Sequence, residues 1–156
     1  MTVFWYASCD VAAAMMEAPG GTALVEESIM EALDFRRAMR KVDEEWGTDW
    51  WFKVWGPNDL SEEGIEEREA WMLKANESWH GFGNLAQGFN MLDPIKATIV
   101  TPGLNLDGKF DKTGIPASVL TKFLTEHGVV VEKTGLYSFF IMFTIGITKG
   151  RWNSLL

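Results

Sequence analysis

The residues best suited to chemistry are Glu132 and Thr134 in one β-rich stretch, and the adjacent pair Trp79 and His80 in another segment. A carboxylate just past the apolar run Val129–Val131 is well placed to take an ammonium or guanidinium group through charge-assisted hydrogen bonds. Side chains alternate along a strand, so Val130, Glu132 and Thr134 would share one face and Val131 and Lys133 the other. The competing reading pairs Glu132 with a nearby Lys or Arg, an arrangement common on surfaces. Trp79-His80-Gly81-Phe82 lies in a Gly- and Pro-interrupted stretch without periodicity. Aromatic and imidazole groups in irregular chain line pockets or interfaces. They also serve as loop anchors, with Trp79 and Phe82 plugged into the core and His80 bonded to backbone.

Other chemistry has little to stand on. The sequence holds no GxGxxG, P-loop, HExxH or CxxC pattern. His80 and His127 are the only histidines and lie far apart, with no second His or Cys at ligand spacing, so no metal site is expected. Cys9, the single cysteine, falls in an Ala- and Met-rich segment and reads as a small buried hydrophobe. His127 beside Gly128 suits a helix C-terminus, where a cation meets the last carbonyls. No catalytic residue is assigned, and no group in the chain is assigned to hold a cofactor.

The whole composition bounds the answer further. The 156 residues suit one domain with one core. Eight Trp and ten Phe exceed what a core of this size needs, which leaves some for a partner. Net charge is -8, which argues against nucleic acid and against an anionic membrane surface. One thiol makes no internal disulfide, so a reducing, cytoplasmic setting is expected. The opening MTVFWYASCD lacks the basic region of a signal peptide, and the apolar run Tyr137–Ile145 is well short of the roughly 20 residues that span a bilayer.

These residues need elements to position them. Cys9–Ala18 reads as a helix that is buried or covered by something else, stopped by Pro19-Gly20-Gly21. Thr22 is placed to cap a second helix, along which Val25, Ile29, Ala32, Leu33, Met39 and Val42 recur at helical spacing. Arg36, Arg37, Arg40 and Lys41 fall toward its C-terminus, where cations are favoured. Trp50–Trp55 reads as a strand ended by Gly56-Pro57-Asn58, Ser61–Glu69 as a loop or short helix, and Trp71–Leu73 as a short strand. Ile95–Thr101 alternates as a strand, and Pro102-Gly103 and Asp107-Gly108 mark turns after it. Pro116 opens a third helix with the apolar stripe Val119, Leu120, Phe123 and Leu124, stopped at Gly128. Strands Val129–Lys133 and Ser138–Ile145 follow, and a last helix begins near Thr148. This order predicts an α+β fold, a small antiparallel or mixed sheet covered by helices. Both ends look unfinished, which points to a piece of a larger protein or a domain built to dock on one.

The motifs "ASCDVAAAMMEAPGG", "ESWHGF", "MLDPIKATIVTPG" and "GIPASVLTKFLTEHGVVVEKTGLYSFFIMFTIGITKGRW", in this order and spacing, resemble the bacterial ornithine/lysine/arginine decarboxylases from about Ala7 to Leu156. The resemblance implies large pyridoxal-phosphate (PLP) enzymes of the aspartate-aminotransferase fold that decarboxylate basic amino acids, with roles in polyamine metabolism and acid resistance. It places residues 1–156 at the family's small, aminotransferase-like domain, without the wing, PLP-binding and C-terminal domains. The family's Ser-x-His-Lys segment, whose lysine forms the Schiff base, has no counterpart here, and the opening Met1-Thr2-Val3 departs from the family pattern. The chain alone is therefore expected to bind no PLP and to be inactive. Its implied partners are the PLP-binding domain of the same or a neighbouring chain, further copies in a homo-oligomer, and a basic amino-acid substrate. The segment matching Glu132-Lys133-Thr134 would approach the distal amino end of that substrate, with Trp79 and His80 as second candidates. Lysine and arginine lead ornithine. The alternative is a non-catalytic truncated module that docks on a full-length decarboxylase.

Overall fold

The computed structural model describes residues 2–57, 59–86, 88–105 and 108–156. Asn58 of the predicted strand end and Asp107 of the predicted turn lie outside the described residues. The elements run α1 (Thr2–Met15), α2 (Gly20–Trp46), β1 (Lys53–Trp55), β2 (Lys96–Val100), α3 (Ala117–Glu126), β3 (Lys133–Thr134) and β4 (Ser138–Met142). This is the α+β order that the sequence predicts. The sheet is antiparallel throughout, in the order β1-β2-β4-β3.

The long helix α2 organises the core. Ala32, Phe35 and Met39 recur at i, i+3 and i+7, so one face meets the sheet. They pack against Ala97 and Ile99 of β2, Phe139 and Ile141 of β4, and Phe143 just beyond. Phe35 and Phe143 are each 1% exposed, and burying a side chain of this kind is worth about 1.5–3 kcal/mol. A second cluster of Leu33, Leu60 and Trp71 fills the flank of α2.

Two of the three arginines expected to serve the helix end, Arg36 and Arg37, are instead buried. Arg36 donates to the carbonyls of Trp55 (2.9 Å) and Lys96 (2.7 Å), joining the end of β1 to the start of β2. Burial pushes its guanidinium down to about 10, with the nearby Asp93 charge acting the other way. Arg37 ties the loop after β1 through the carbonyls of Ser61 (2.9 Å) and Gly64 (2.7 Å).

Several boundaries differ from the predicted ones. The first helix spans Thr2–Met15, and Cys9 is exposed rather than buried, because α1 is exposed along its length from Val3. Thr22 caps nothing: α2 already begins at Gly20, after Gly21 donates to the Glu17 carbonyl (2.8 Å) in a tight turn. The strand predicted at Trp50–Trp55 keeps only Lys53–Trp55, while Trp50 and Phe52 turn onto the core in an edge-to-face pair (5.5 Å). Arg68–Trp71 forms a 3₁₀ turn, followed by a single bridge between Met72 and Met91.

On α3 the apolar stripe is half right. Val119 and Phe123 are 60% and 54% exposed, and the inward face is Ala117, Leu120, Thr121 and Leu124, spaced i, i+3, i+4, i+7. Gly128, at φ +82°, ends this helix. Val129 still donates to the Leu124 carbonyl (2.9 Å), which keeps Val129–Val131 out of the sheet. The predicted strand Val129–Lys133 thus shrinks to β3, and Val130 is 82% exposed. The predicted last helix is a 3₁₀ turn at Arg151–Leu155. It is held by the buried carboxylate of Glu31, which accepts from the Gly150 N–H (2.7 Å) and Trp152 Nε1 (2.9 Å).

Candidate functional site

β3 is the short outer strand of the sheet, and its residues form a rim between α3 and β4. Lys133 pairs with Phe140 and Thr134 with Phe139. Phe139 faces the helices within the core, so Thr134 lies on the α3 side and Lys133 points the other way; Glu132 precedes the strand, after Val131, which packs on the core. Backbone bonds fix the rim. Glu132 N–H donates to the Phe140 carbonyl (3.1 Å), Gly135 N–H to the Ser138 carbonyl (2.6 Å), and Ala117 N–H at the start of α3 to the Leu136 carbonyl (2.8 Å). The Thr134 hydroxyl reaches Thr121 Oγ1 at 3.4 Å.

Glu132 is exposed and forms no ion pair among the described residues. The competing expectation, a structural pair with a neighbouring cation, is therefore not realised. Beside the rim, a groove of about 440 Å³ is lined by Ser118, Thr121, Thr125 and Thr134, together with the charged Lys122 and Glu126 and the apolar Val130 and Val131. The signal for this groove in the sequence is the hydroxyl spacing Ser118, Thr121, Thr125, which runs beside the apolar stripe of the same helix.

Trp79 and His80 lie elsewhere. Trp79 is 7% exposed and packs edge-to-face on Trp55 at the end of β1 (5.0 Å). Trp55 pairs with Thr98, Thr98 with Phe140, and Phe140 with Lys133, so one row crosses the whole sheet from the Trp79 contact to the rim. Three strand spacings separate its ends, about 14 Å. The structure thus places Glu132 and Thr134 at one edge of the sheet and Trp79 and His80 at the opposite one.

The His80 side chain is fully enclosed. Its Nδ1 accepts from the Phe82 N–H (2.9 Å), which places the ring proton on Nε2. Nε2 has no hydrogen-bond partner among the described residues; the carboxylate oxygen Oε2 of Glu77 lies 3.7 Å away and already accepts from Trp79 Nε1 (3.0 Å). His80 also stacks on Phe82 (5.1 Å). Trp79 and His80 thus turn inward as a loop clasp, whereas Phe82, expected in the core with Trp79, is 48% exposed.

A lysine that carries a Schiff base is typically desolvated by burial. Among the described residues every lysine is exposed or half-exposed, and Lys53 and Lys96 are paired with Asp43 and Asp93. No group of three or more metal-ligating side chains gathers among the described residues, and none of their helices is long and apolar enough to cross a membrane.

Comparison with known proteins gives consistent matches. The family model for "Orn/Lys/Arg decarboxylase, major domain" matches residues 3–151. Lysine decarboxylase LdcA of Pseudomonas aeruginosa is 50% identical over 152 residues, covering 96% of this chain and 20% of its own length. The biodegradative arginine decarboxylase of Escherichia coli is 35% identical over 166 residues, covering 96% of this chain and 22% of its own. The crystal structure of the Francisella novicida lysine decarboxylase LdcF superposes with a TM-score of 0.81 at 44% identity, over 92% of this chain and 19% of that one. The chain spans about a fifth of the length of the curated relatives it matches.

Proposed function

The chain belongs to the Orn/Lys/Arg decarboxylase family, and from that premise we propose that it is the part of a PLP-dependent basic amino-acid decarboxylase that closes one side of the active site. Within the region the family model covers, we assign it to the small, aminotransferase-like domain. Its rim presents Glu132 and Thr134 to the distal amino end of the substrate. One observation carries this reading: Glu132 is exposed without an ion-pair partner among the described residues. An unpaired carboxylate beside hydroxyl acceptors suits a substrate ammonium, which donates up to three hydrogen bonds. Trp79 and His80, as a clasp at the other edge, hold the loop and do not touch substrate in this reading.

Lysine is favoured over arginine, because the lysine decarboxylase relative is 50% identical and the arginine decarboxylase 35%. In the whole enzyme PLP supplies the electron sink for loss of the α-carboxyl group. A PLP-binding domain of the same or a neighbouring chain, in a cytoplasmic homo-oligomer, would hold it. The alternative, a non-catalytic module docked on a full-length decarboxylase, uses the same exposed α1; sequence flanking the coding region separates the two, since an in-frame Ser-x-His-Lys segment upstream supports the first.

Two measurements test the proposal. Incubating the chain alone with PLP should produce no aldimine absorbance; a stable lysine-dependent band would sink the assignment. With the PLP-binding portion supplied, Glu132→Gln should raise KM for lysine by about tenfold, the weight of a charge-assisted hydrogen bond. An unchanged KM would remove Glu132 from the substrate site.

A further inference from the structure

The rim has little to hold it in the sheet. β3 is two residues long and pairs on one side only, with β4. An edge this short opens easily, because few bonds must break at once. Yet the candidate substrate contacts sit on it and beside it. What fixes their direction comes from α3.

Thr121 is 9% exposed and lies on the face of α3 turned to the rim. Its Oγ1 receives the Thr134 hydroxyl at 3.4 Å and points its own proton toward the Ser118 carbonyl, also 3.4 Å. One turn later the Thr125 hydroxyl donates to the Thr121 carbonyl (2.8 Å), tying the same residue from the other side. Four residues before Thr121, the Ala117 N–H holds the Leu136 carbonyl at 2.8 Å. The segment Thr134–Leu136 is therefore attached to α3 at both ends, once by backbone and once by a hydroxyl pair. Only the hydroxyl contact lies on the side of Glu132. It is long for an O–H···O bond, so it sets direction more than it adds stability.

We propose that Thr121 is a positioning residue for substrate recognition: through the Thr134 hydroxyl it aims the Glu132–Thr134 edge at the substrate's distal ammonium. This rests on the reading of Glu132 given above. A side chain misdirected by an ångström loses a charge-assisted contact while the reacting carbon is untouched. The effect therefore falls on recognition of the diamino acid and not on the chemical step.

The test compares Thr121→Val, which keeps shape and removes the hydroxyl, with Thr121→Ser, which restores it. In the chain alone, hydrogen exchange at the Glu132 and Gly135 amides should quicken by about fivefold in Thr121→Val and return in Thr121→Ser, with the Ile99 amide unchanged. In the assembly with the PLP-binding portion, Thr121→Val should raise KM for lysine by about fivefold at a kcat within about twofold of the parent, again restored by Ser. Unchanged rim exchange, or no rescue by Ser, overturns the proposal. So does a loosened rim with an unchanged KM while Glu132→Gln still raises KM, which would leave Thr121 a purely structural role. If Glu132→Gln itself leaves KM unchanged, the reading of Glu132 fails and the proposal falls with it, and the exchange data show that the failure lies in that reading and not in the tether.

Discussion

Arg36 and Glu31 are two buried charges, and each holds together segments distant in sequence. Arg36 spans the carbonyls of Trp55 and Lys96, a span its planar fork fits and a lysine's single ammonium does not. Arg36→Ala leaves two carbonyls of the strand ends without their donor, so urea unfolding should show a loss of about 3 kcal/mol. Arg36→Lys should recover only part of it. Glu31 holds the C-terminal turn from a distance of over a hundred residues in sequence. Glu31→Ala should cost about 2 kcal/mol and speed exchange at the Gly150 amide, with little change in the sheet. Neither role is legible in the sequence, since both depend on which distant carbonyl or N–H arrives at the side chain. The alternation of Lys133 and Thr134 is legible, because it needs only the local backbone; the bend that sets Glu132 apart from the strand is not.

The elements differ in how far local pattern governs them. α2 and β2 follow their periodicity, since each buries one face against the same core. β3 does not, because Gly128 at φ +82° and the Val129–Leu124 bond carry the chain outward before it can pair. The stripe on α3 spans four apolar residues, and only the position of the sheet decides that Leu120 and Leu124 face in. The sheet order β1-β2-β4-β3 likewise separates Trp79 from Glu132, and no spacing in the sequence encodes it. Connections can be as demanding as elements. Gly103 has φ +111°, and an added Cβ would stand 2.6 Å from the Tyr137 ring, whereas Gly128 has open space around it. Gly128→Ala should cost about 1 kcal/mol from backbone strain alone. Gly103→Ala should cost about 2–4 kcal/mol by adding a clash, and thermal melting of the two variants separates the contributions.

At the scale of the whole molecule, the exposed apolar surface is uneven. α1 shows Phe4, Trp5 and Tyr6 at 83%, 71% and 74% exposure, while its only charge is Asp10. Patches of this kind mark interaction surfaces. Light scattering of the isolated chain should therefore show concentration-dependent association. Replacing Phe4 and Trp5 with Glu should suppress it and shift the unfolding free energy by less than about 0.5 kcal/mol, since neither residue is in the core. An association unaffected by these changes would place the sticky surface elsewhere. The same asymmetry gives the protein a built-in optical signal. Trp71 and Trp79, at 2% and 7% exposure, emit from a dry surrounding, whereas Trp5 emits from water. A quencher confined to solvent will darken Trp5, Trp46 and Trp51 first and the buried indoles last. When α1 is covered by whatever it meets, Trp5 alone should turn blue and become shielded. Fluorescence of the native chain, without any attached dye, then reports the moment of docking.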